Sequence, residues 1–220
     1  MTEHREYLGE GLDEADLAPT PLQQVRDWLA QAERRPDVVE PTALSVATVD
    51  ASGQPNVRTV LMRFLDAAGP GFVTDLGSAK STEIVATGGI AAALTWPSMY
   101  RAIRFRGTAV PLGRDEITDY FRSRPWGSRI SAWASRQSRP VADRAALVAA
   151  FERYAQRYPD TGSPGDVPVP DGWGGWRIDC AEVELWAGRR DRLHDRLVYV
   201  RTAPGDLATA DAWTVHRRQP

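Results

Sequence analysis

Several basic residues of this sequence stand next to hydroxyl and aromatic side chains, a combination suited to holding a phosphorylated ring. Arg58 and Arg63 flank the run Thr59-Val60-Leu61-Met62. Lys80 follows Ser78 at the expected opening of a short helix, where unpaired backbone N–H groups already favour an anion. Arg124 follows Ser123, and Arg192 and Arg196 stand two residues either side of His194. The planar guanidinium fork grips phosphate through two parallel hydrogen bonds. Taken singly, each arginine reads more simply as a solvated surface charge; taken jointly, they outline an anion site. Neither GxGxxG nor GxxxxGK[ST] occurs, so a bound phosphate has to be held by side chains.

Two groupings sharpen this reading. Tyr120, Arg124 and Ser128 recur every four residues, which on a continuous helix places a ring, a charge and a small donor on one face. Pro125 interrupts that span and must kink or restart the helix, and a solvated helix face fits the same spacing. The run Arg192-Leu193-His194-Asp195-Arg196 alternates as a strand would, so Arg192, His194 and Arg196 are expected on one side. Three basic groups on one face repel unless an anion sits among them. His194 is the one histidine placed among other functional candidates, and within this triplet it reads as functional.

The elements that must position these residues follow from local pattern. Thr20-Pro21-Leu22-Gln23 reads as a capped helix start, with Leu22, Val25, Leu29 and Ala32 at helical spacing and an end near Arg35-Pro36. Ala43 to Val49 and Val57 to Leu65 are β-rich runs around the turn-forming Asp50-Ala51-Ser52-Gly53-Gln54-Pro55, which predicts a hairpin. Further strands are expected at Gly71–Thr74, Ile90–Trp96, Arg101–Val110, Trp176–Trp186, Arg192–Arg201 and Asp211–Arg217, with Ile103, Phe105 and Gly107 alternating against Arg104 and Arg106. Ser78 to Thr87 reads as a short helical crossing. Helices are expected over Asp115 to Ser138 and Ala142 to Tyr158, followed by an ordered loop to Gly172. Short strands joined by tight turns imply an α+β chain, mainly β: an antiparallel barrel with packed helices rather than a doubly wound parallel sheet.

Composition narrows the function classes. With 220 residues the chain holds a substantial core. Its 27 basic and 29 acidic side chains lack the basic excess of a nucleic-acid binder. The single cysteine, Cys180, lies in an apolar run and is expected to be buried rather than nucleophilic. The three histidines are scattered, so no metal site is expected. The N-terminal residues are polar and no apolar run reaches the ~20 residues of a membrane span, which points to the cytoplasm.

Read end to end, the sequence resembles the pyridoxamine 5'-phosphate oxidase family. The resemblance rests on Arg5-Glu6-Tyr7 with Gly11-Leu12, Glu40-Pro41-Thr42-Ala43, Arg58-Thr59-Val60-Leu61 and Tyr120-Phe121-Arg122-Ser123-Arg124-Pro125. It continues through Ala132 to Pro140, Trp173-Gly174-Gly175-Trp176-Arg177, Glu184-Leu185-Trp186 and Arg192-Leu193-His194-Asp195-Arg196. The resemblance implies an FMN-binding split barrel, normally a homodimer with FMN at the subunit interface. It further implies a single domain over 20–220 and an N-terminal segment, 1–19, that closes over the substrate.

By position, the resemblance assigns FMN contacts to Arg58, Thr59, Val60, Leu61, Arg63, Val73, Thr74, Lys80, Gln137, Ser138, Trp186 and Arg196. It assigns substrate contacts to Arg5, Tyr7, Arg63, Tyr120, Arg124, Ser128, Arg192 and His194, and it implies that Arg192 and His194 are the catalytic pair. Among Trp173, Trp176 and Trp186, most are expected in the core and one against the flavin. The implied reaction moves a hydride equivalent from substrate to flavin, with oxygen as final acceptor and hydrogen peroxide released. The sequence departs from the family pattern at Arg63 for a lysine, Ala79 for an arginine, Ala102 for a glutamine and Val73 for a tyrosine. Arg63, Ala79 and Ala102 favour a second reading, a related oxidase of the phenazine pathway acting on another ring; the retained substrate set favours a vitamin B6 phosphate. A third possibility is a binder that has lost turnover.

Overall fold

The computed structural model describes residues 6–7 and 9–220; Arg5 lies outside them. Thr20 caps the first helix, α1 (Pro21–Glu33), its hydroxyl accepting from the Gln23 backbone N–H at 3.2 Å, with Pro21 in the first turn. The sequence then enters β1 (Ala43–Val49) and β2 (Pro55–Leu61), an antiparallel pair in which Ala43 faces Leu61 and Val49 faces Pro55. Asp50 organises the turn between them, accepting hydrogen bonds from the backbone N–H groups of Ser52 and Gln54.

The run expected as one strand from Val57 to Leu65 breaks in two. Met62 donates its backbone N–H to Thr42 on the β1 side, and Arg63 donates to Gly71 on the other. Two consecutive residues thus serve two different neighbours, and the chain must bend between them. The second piece is β3 (Phe64–Asp66), which turns back into β4 (Gly69–Asp75). Helix α2 (Ala79–Thr87) crosses to β5 (Gly89–Trp96), which forms a hairpin with β6 (Arg101–Pro111). Ile103 and Phe105 are buried and Arg104 and Arg106 exposed, as their alternation predicts.

The expected long helix is two helices, α3 (Arg114–Ser123) and α4 (Trp126–Ala134). Arg124 takes extended angles, φ −74° and ψ 148°, because the ring of Pro125 excludes the helical ones. Helix α5 (Arg144–Arg157) packs on α4. The chain closes with β7 (Trp173–Ala187), β8 (Asp195–Arg201) and β9 (Trp213–Arg217).

Every strand pairing is antiparallel, in the order β2-β1-β5-β6-β7-β4-β3. Strand β7 is the branch point. One edge runs along the whole of β6, whereas the other pairs first with β4, through Trp173 to Arg177, and then with β8, through Glu182 to Ala187. The sheet curls around a core that includes Leu44, Phe72, Leu94, Phe105, Ile178 and Leu185, while Ile117, Phe121, Ile130 and Trp173 form a second cluster under the helices. A β-bulge interrupts the β6–β7 register after Arg106, leaving Ala181 without an opposite residue. Gly107 is required there, since a Cβ would lie 2.0 Å from the Asp179 carbonyl oxygen.

Cys180 is buried in this core and desolvation pushes its thiol up to about 12. Native protein at pH 8 is expected to resist thiol reagents, with one equivalent reacting after denaturation. Rapid labelling of the folded chain in a mass-spectrometric time course would contradict this placement.

Candidate functional site

The predicted residues gather in three clusters. The first lies where β4 runs into α2. Lys80 is buried, and its Nζ donates to Gln137 Oε1 at 2.6 Å, Thr74 Oγ1 at 3.0 Å and Ser78 Oγ at 3.3 Å. All three partners are neutral. Burial, followed by the nearby Arg58 guanidinium, pushes the Lys80 ammonium down to about 8. Arg58 donates to the Val46 carbonyl, to Thr48 Oγ1 and to Glu83 Oε2, the last at 2.8 Å. Gln137 is held by its backbone N–H, which donates to Asp75 Oδ2 at 3.1 Å. Ser138 beside it is exposed with a left-handed φ of 70°. Thr59, Val60 and Leu61 lie on β2, an edge strand of the sheet, so backbone N–H and C=O groups along its outer side are open to a ligand.

The second cluster adjoins the first, because Trp173 pairs with Asp75 across β4 and β7. The Tyr120 ring lies parallel to Trp173, 3° between planes with centroids 6.2 Å apart, and meets Phe64 edge-on at 5.5 Å. The Arg124 guanidinium sits 5.0 Å over the Trp173 ring. Its Nη1 is buried and, among the described residues, has no hydrogen-bond partner. Burial pushes the Arg124 guanidinium down, and Arg63 is near enough to add to that. Arg63 is itself exposed, and Val73 is half-buried on β4. Tyr120 and Arg124 meet at Trp173, and Ser128, in the first turn of α4, is joined to them by a helix–proline–helix corner rather than by one helix face.

The third cluster is at the far end of β7. His194 packs between Trp186, 4.8 Å centroid to centroid, and Tyr7 at 4.9 Å. Its Nδ1 accepts the Arg189 backbone N–H at 3.1 Å, and burial, then Arg192, pushes the ring below the usual histidine range. The neutral ring therefore carries its hydrogen on Nε2. Arg196 donates to Glu184 at 3.1 and 2.9 Å. Ala102 faces Trp186 across β6 and β7.

One expectation is corrected here. Arg192, His194 and Arg196 do not lie along a strand, since β8 starts only at Asp195. Asp191 and Arg192 instead take left-handed φ values of 56° and 60° in a tight turn that brings the chain round after β7. His194 faces Tyr7 and Trp186, Leu193 is exposed and Asp195 is buried. The alternation hid the turn, whose signals in the sequence are Gly188, directly after β7, and Asp191, a residue type that tolerates left-handed angles. Glu184, Asp195 and Arg189 were missed as site residues. The alternation of Glu184 against Arg104 on the neighbouring strand was the available signal for the first.

Strand β7 spans 15 residues, roughly 50 Å of extended chain before twist and curl shorten it. The first two clusters lie at its start and the third at its end. Within one chain, Lys80 and Arg124 are not brought together with His194 and Arg196. Among the described residues no helix is long and apolar enough to cross a membrane.

Residues 29–158 match the family described as "Pyridoxamine 5'-phosphate oxidase", and residues 173–220 match the "Pyridoxine 5'-phosphate oxidase C-terminal dimerisation region". The chain belongs to the pyridoxamine 5'-phosphate oxidase family. It is 45% identical over 216 residues to a pyridoxine/pyridoxamine 5'-phosphate oxidase of Kineococcus radiotolerans, covering 98% of this chain and 96% of that one. A protein of the same name from Streptomyces avermitilis is 44% identical over 223 residues, covering 100% and 95%. In structure, the chain is similar to PhzG from Burkholderia lata 383 in complex with tetrahydrophenazine-1-carboxylic acid. The TM-score is 0.84 at 29% identity, over 96% of this chain and 99% of that one. The family's antiparallel split barrel is the fold described above, and the chain is an oxidoreductase.

Proposed function

We propose that this chain is an FMN-dependent oxidase that converts pyridoxamine 5'-phosphate or pyridoxine 5'-phosphate to pyridoxal 5'-phosphate, with oxygen as electron acceptor and release of hydrogen peroxide. The observation that carries this reading is Arg124. A half-buried guanidinium whose Nη1 is itself buried and, among the described residues, unpartnered, set over Trp173 and beside Tyr120, is costly unless an anion comes to it. A phosphate attached to a flat ring supplies that anion.

FMN fits the first cluster on the same physical ground. Lys80 is a buried ammonium whose hydrogen-bond partners are all neutral, and Arg58 stands beside it. A cofactor phosphate would meet Lys80, Arg58 and the hydroxyl of Thr74, with Gln137, Ser138 and the open edge of β2 along the rest of the molecule. When bound, FMN accepts the hydride equivalent and passes the electrons to oxygen. Tyr120, Arg124 and Ser128 bind the substrate phosphate and fix its distance from the reacting carbon. Arg192 and His194 orient that carbon, with the His194 Nε2 hydrogen available as a donor to a substrate oxygen or nitrogen. Water hydrolyses the imine formed from the amine substrate.

The separation along β7 supports a homodimer, in which the third cluster of one copy faces the first two clusters of the other. The match of residues 173–220 to a dimerisation region supports it as well. Tyr7, packed against His194 and Trp186, supports closure of the N-terminal segment over that site. Ala102, opposite Trp186, favours the second reading, an oxidase of a different ring compound. Purified protein is expected to be yellow and to consume oxygen and release peroxide on addition of pyridoxine 5'-phosphate. Flavin binding without turnover of either B6 phosphate would refute the B6 assignment, and absence of flavin after reconstitution would refute the oxidase.

A further inference from the structure

One carboxylate holds two separate walls of the third cluster. Asp195, the first residue of β8, is 6% exposed. Its Oδ2 accepts the Leu12 backbone N–H at 2.9 Å and the Arg189 Nε, and its Oδ1 accepts Arg217 Nη1. The guanidinium of Arg217 then reaches Glu14, with Nε to Oε1 at 2.9 Å and Nη2 to Oε2 at 2.7 Å, and the Leu12 carbonyl at 3.3 Å. Arg189 Nη2 stands 3.6 Å from Asp13 Oδ2. The N-terminal segment, the turn after β7 and the last strand therefore converge on Asp195. Contact is close: a Cβ on Gly11, whose φ is +81°, would lie 2.2 Å from the Arg189 Cζ.

Arg189 faces the site through its backbone. Its N–H holds His194 Nδ1, while its side chain holds Asp195. The turn in between contains Asp191 and Arg192 in left-handed conformations that non-glycine residues keep only where the surroundings enforce them. The Arg189–His194 hydrogen bond closes that turn, and the Arg189–Asp195 pair clamps its base.

We infer that Asp195 is a positioning residue, the shared anchor that fixes the N-terminal segment through Leu12 and Arg217 and the His194 ring through Arg189. The catalytic consequence rests on the oxidase reading above; the anchoring itself does not. A carboxylate serving only to pin the N-terminus would leave His194 unchanged on its loss. A shared anchor releases both.

Hydrogen–deuterium exchange on the flavin-loaded protein separates these outcomes. In Asp195→Asn, peptides covering 9–17 and 187–196 are both expected to exchange about tenfold faster or more, with 79–87 unchanged. Nitrogen-15 spectra of histidine should show His194 losing its single Nε2–H form, assigned by the signal missing in His194→Ala. Turnover of pyridoxine 5'-phosphate should fall while flavin stays bound. Arg217→Gln should loosen 9–17 and leave 187–196 and the His194 signal as in the parent, whereas Arg189→Ala should loosen 187–196 and alter the His194 signal, with a smaller effect on 9–17 through its 3.6 Å contact with Asp13. If Asp195→Asn does not fold, the Arg189→Ala/Arg217→Gln double variant should reproduce both effects. Loosening of one peptide without the other in Asp195→Asn, or an unaltered His194 signal, overturns the inference. Exchange and nitrogen shifts need no turnover. Paired loosening in a flavin-loaded protein inert towards B6 phosphates would overturn the B6 assignment and keep this inference.

Discussion

Arg124→Met is expected to raise the KM for pyridoxine 5'-phosphate by about 100-fold or more, with a smaller change in kcat. The reasoning starts from the unpartnered Nη1 over Trp173. Charge-assisted hydrogen bonds contribute roughly 1.5–3 kcal/mol each, so losing two to a phosphate costs at least two powers of ten. Unphosphorylated pyridoxine, which cannot use the guanidinium, should be oxidised equally poorly by parent and variant. Stability should move the other way. A buried N–H without a partner costs about 1–3 kcal/mol in the ligand-free fold, so methionine at this position should leave the melting temperature unchanged or raise it. Steady-state kinetics on the two alcohols, together with a thermal melt, decide the matter. Equal losses on both substrates would place the phosphate elsewhere.

Lys80→Met should weaken FMN binding by at least tenfold and up to several hundredfold, on the same charge-assisted magnitude. The parent protein should also show a pH signature. In the ligand-free fold the Lys80 ammonium is pushed from its ordinary 10.5 down to about 8 by burial and then by Arg58. Between those values the unfolded chain holds more protons than the folded one, so stability of the flavin-free protein rises as pH climbs from 8 towards 10.5. A cofactor phosphate favours the charged lysine. FMN binding above pH 8 must therefore take up a proton, and affinity should fall by up to about tenfold per pH unit there. The variant should lack both slopes. Flavin fluorescence titrations from pH 7 to 9.5 read this directly; a flat parent curve would remove Lys80 from the phosphate site.

Much of the fold was legible in the sequence because its local signals agree with its tertiary ones. Thr20 and Pro21 mark the start of α1, the Asp50 turn marks the first hairpin, and the alternation around Ile103 and Phe105 marks a half-buried strand. The site was legible as residue types and less so as geometry. Tyr120 and Arg124 do meet at Trp173, but Ser128 follows a corner at Pro125 whose angle no spacing encodes. The Arg192–Arg196 run failed as a strand because its polar alternation masked a turn signalled only by Gly188 and Asp191 ahead of it. The break between Met62 and Arg63 was invisible for another reason. It is a change of partner strand, a property of the sheet and not of the run. The division of the clusters between the two ends of β7 was equally out of reach, since it depends on how far one strand extends before the chain turns back.

The bulge after Arg106 acts as a phase shift. Before it, even-numbered residues of β7 point inwards: Ile178 and Cys180 are core. After it, Val183 and Leu185 are core instead, and the even positions Glu184 and Trp186 turn to the opposite side, where Glu184 meets Arg104 and Arg196 and Trp186 meets His194. A strand of strict alternation would have sent a carboxylate and an indole into the barrel and left two aliphatic side chains outside. Ala181, which contributes almost nothing by its own side chain, thus lets one continuous strand keep a core wall along its whole length while turning Glu184 and Trp186 to the outer face, where the third cluster forms.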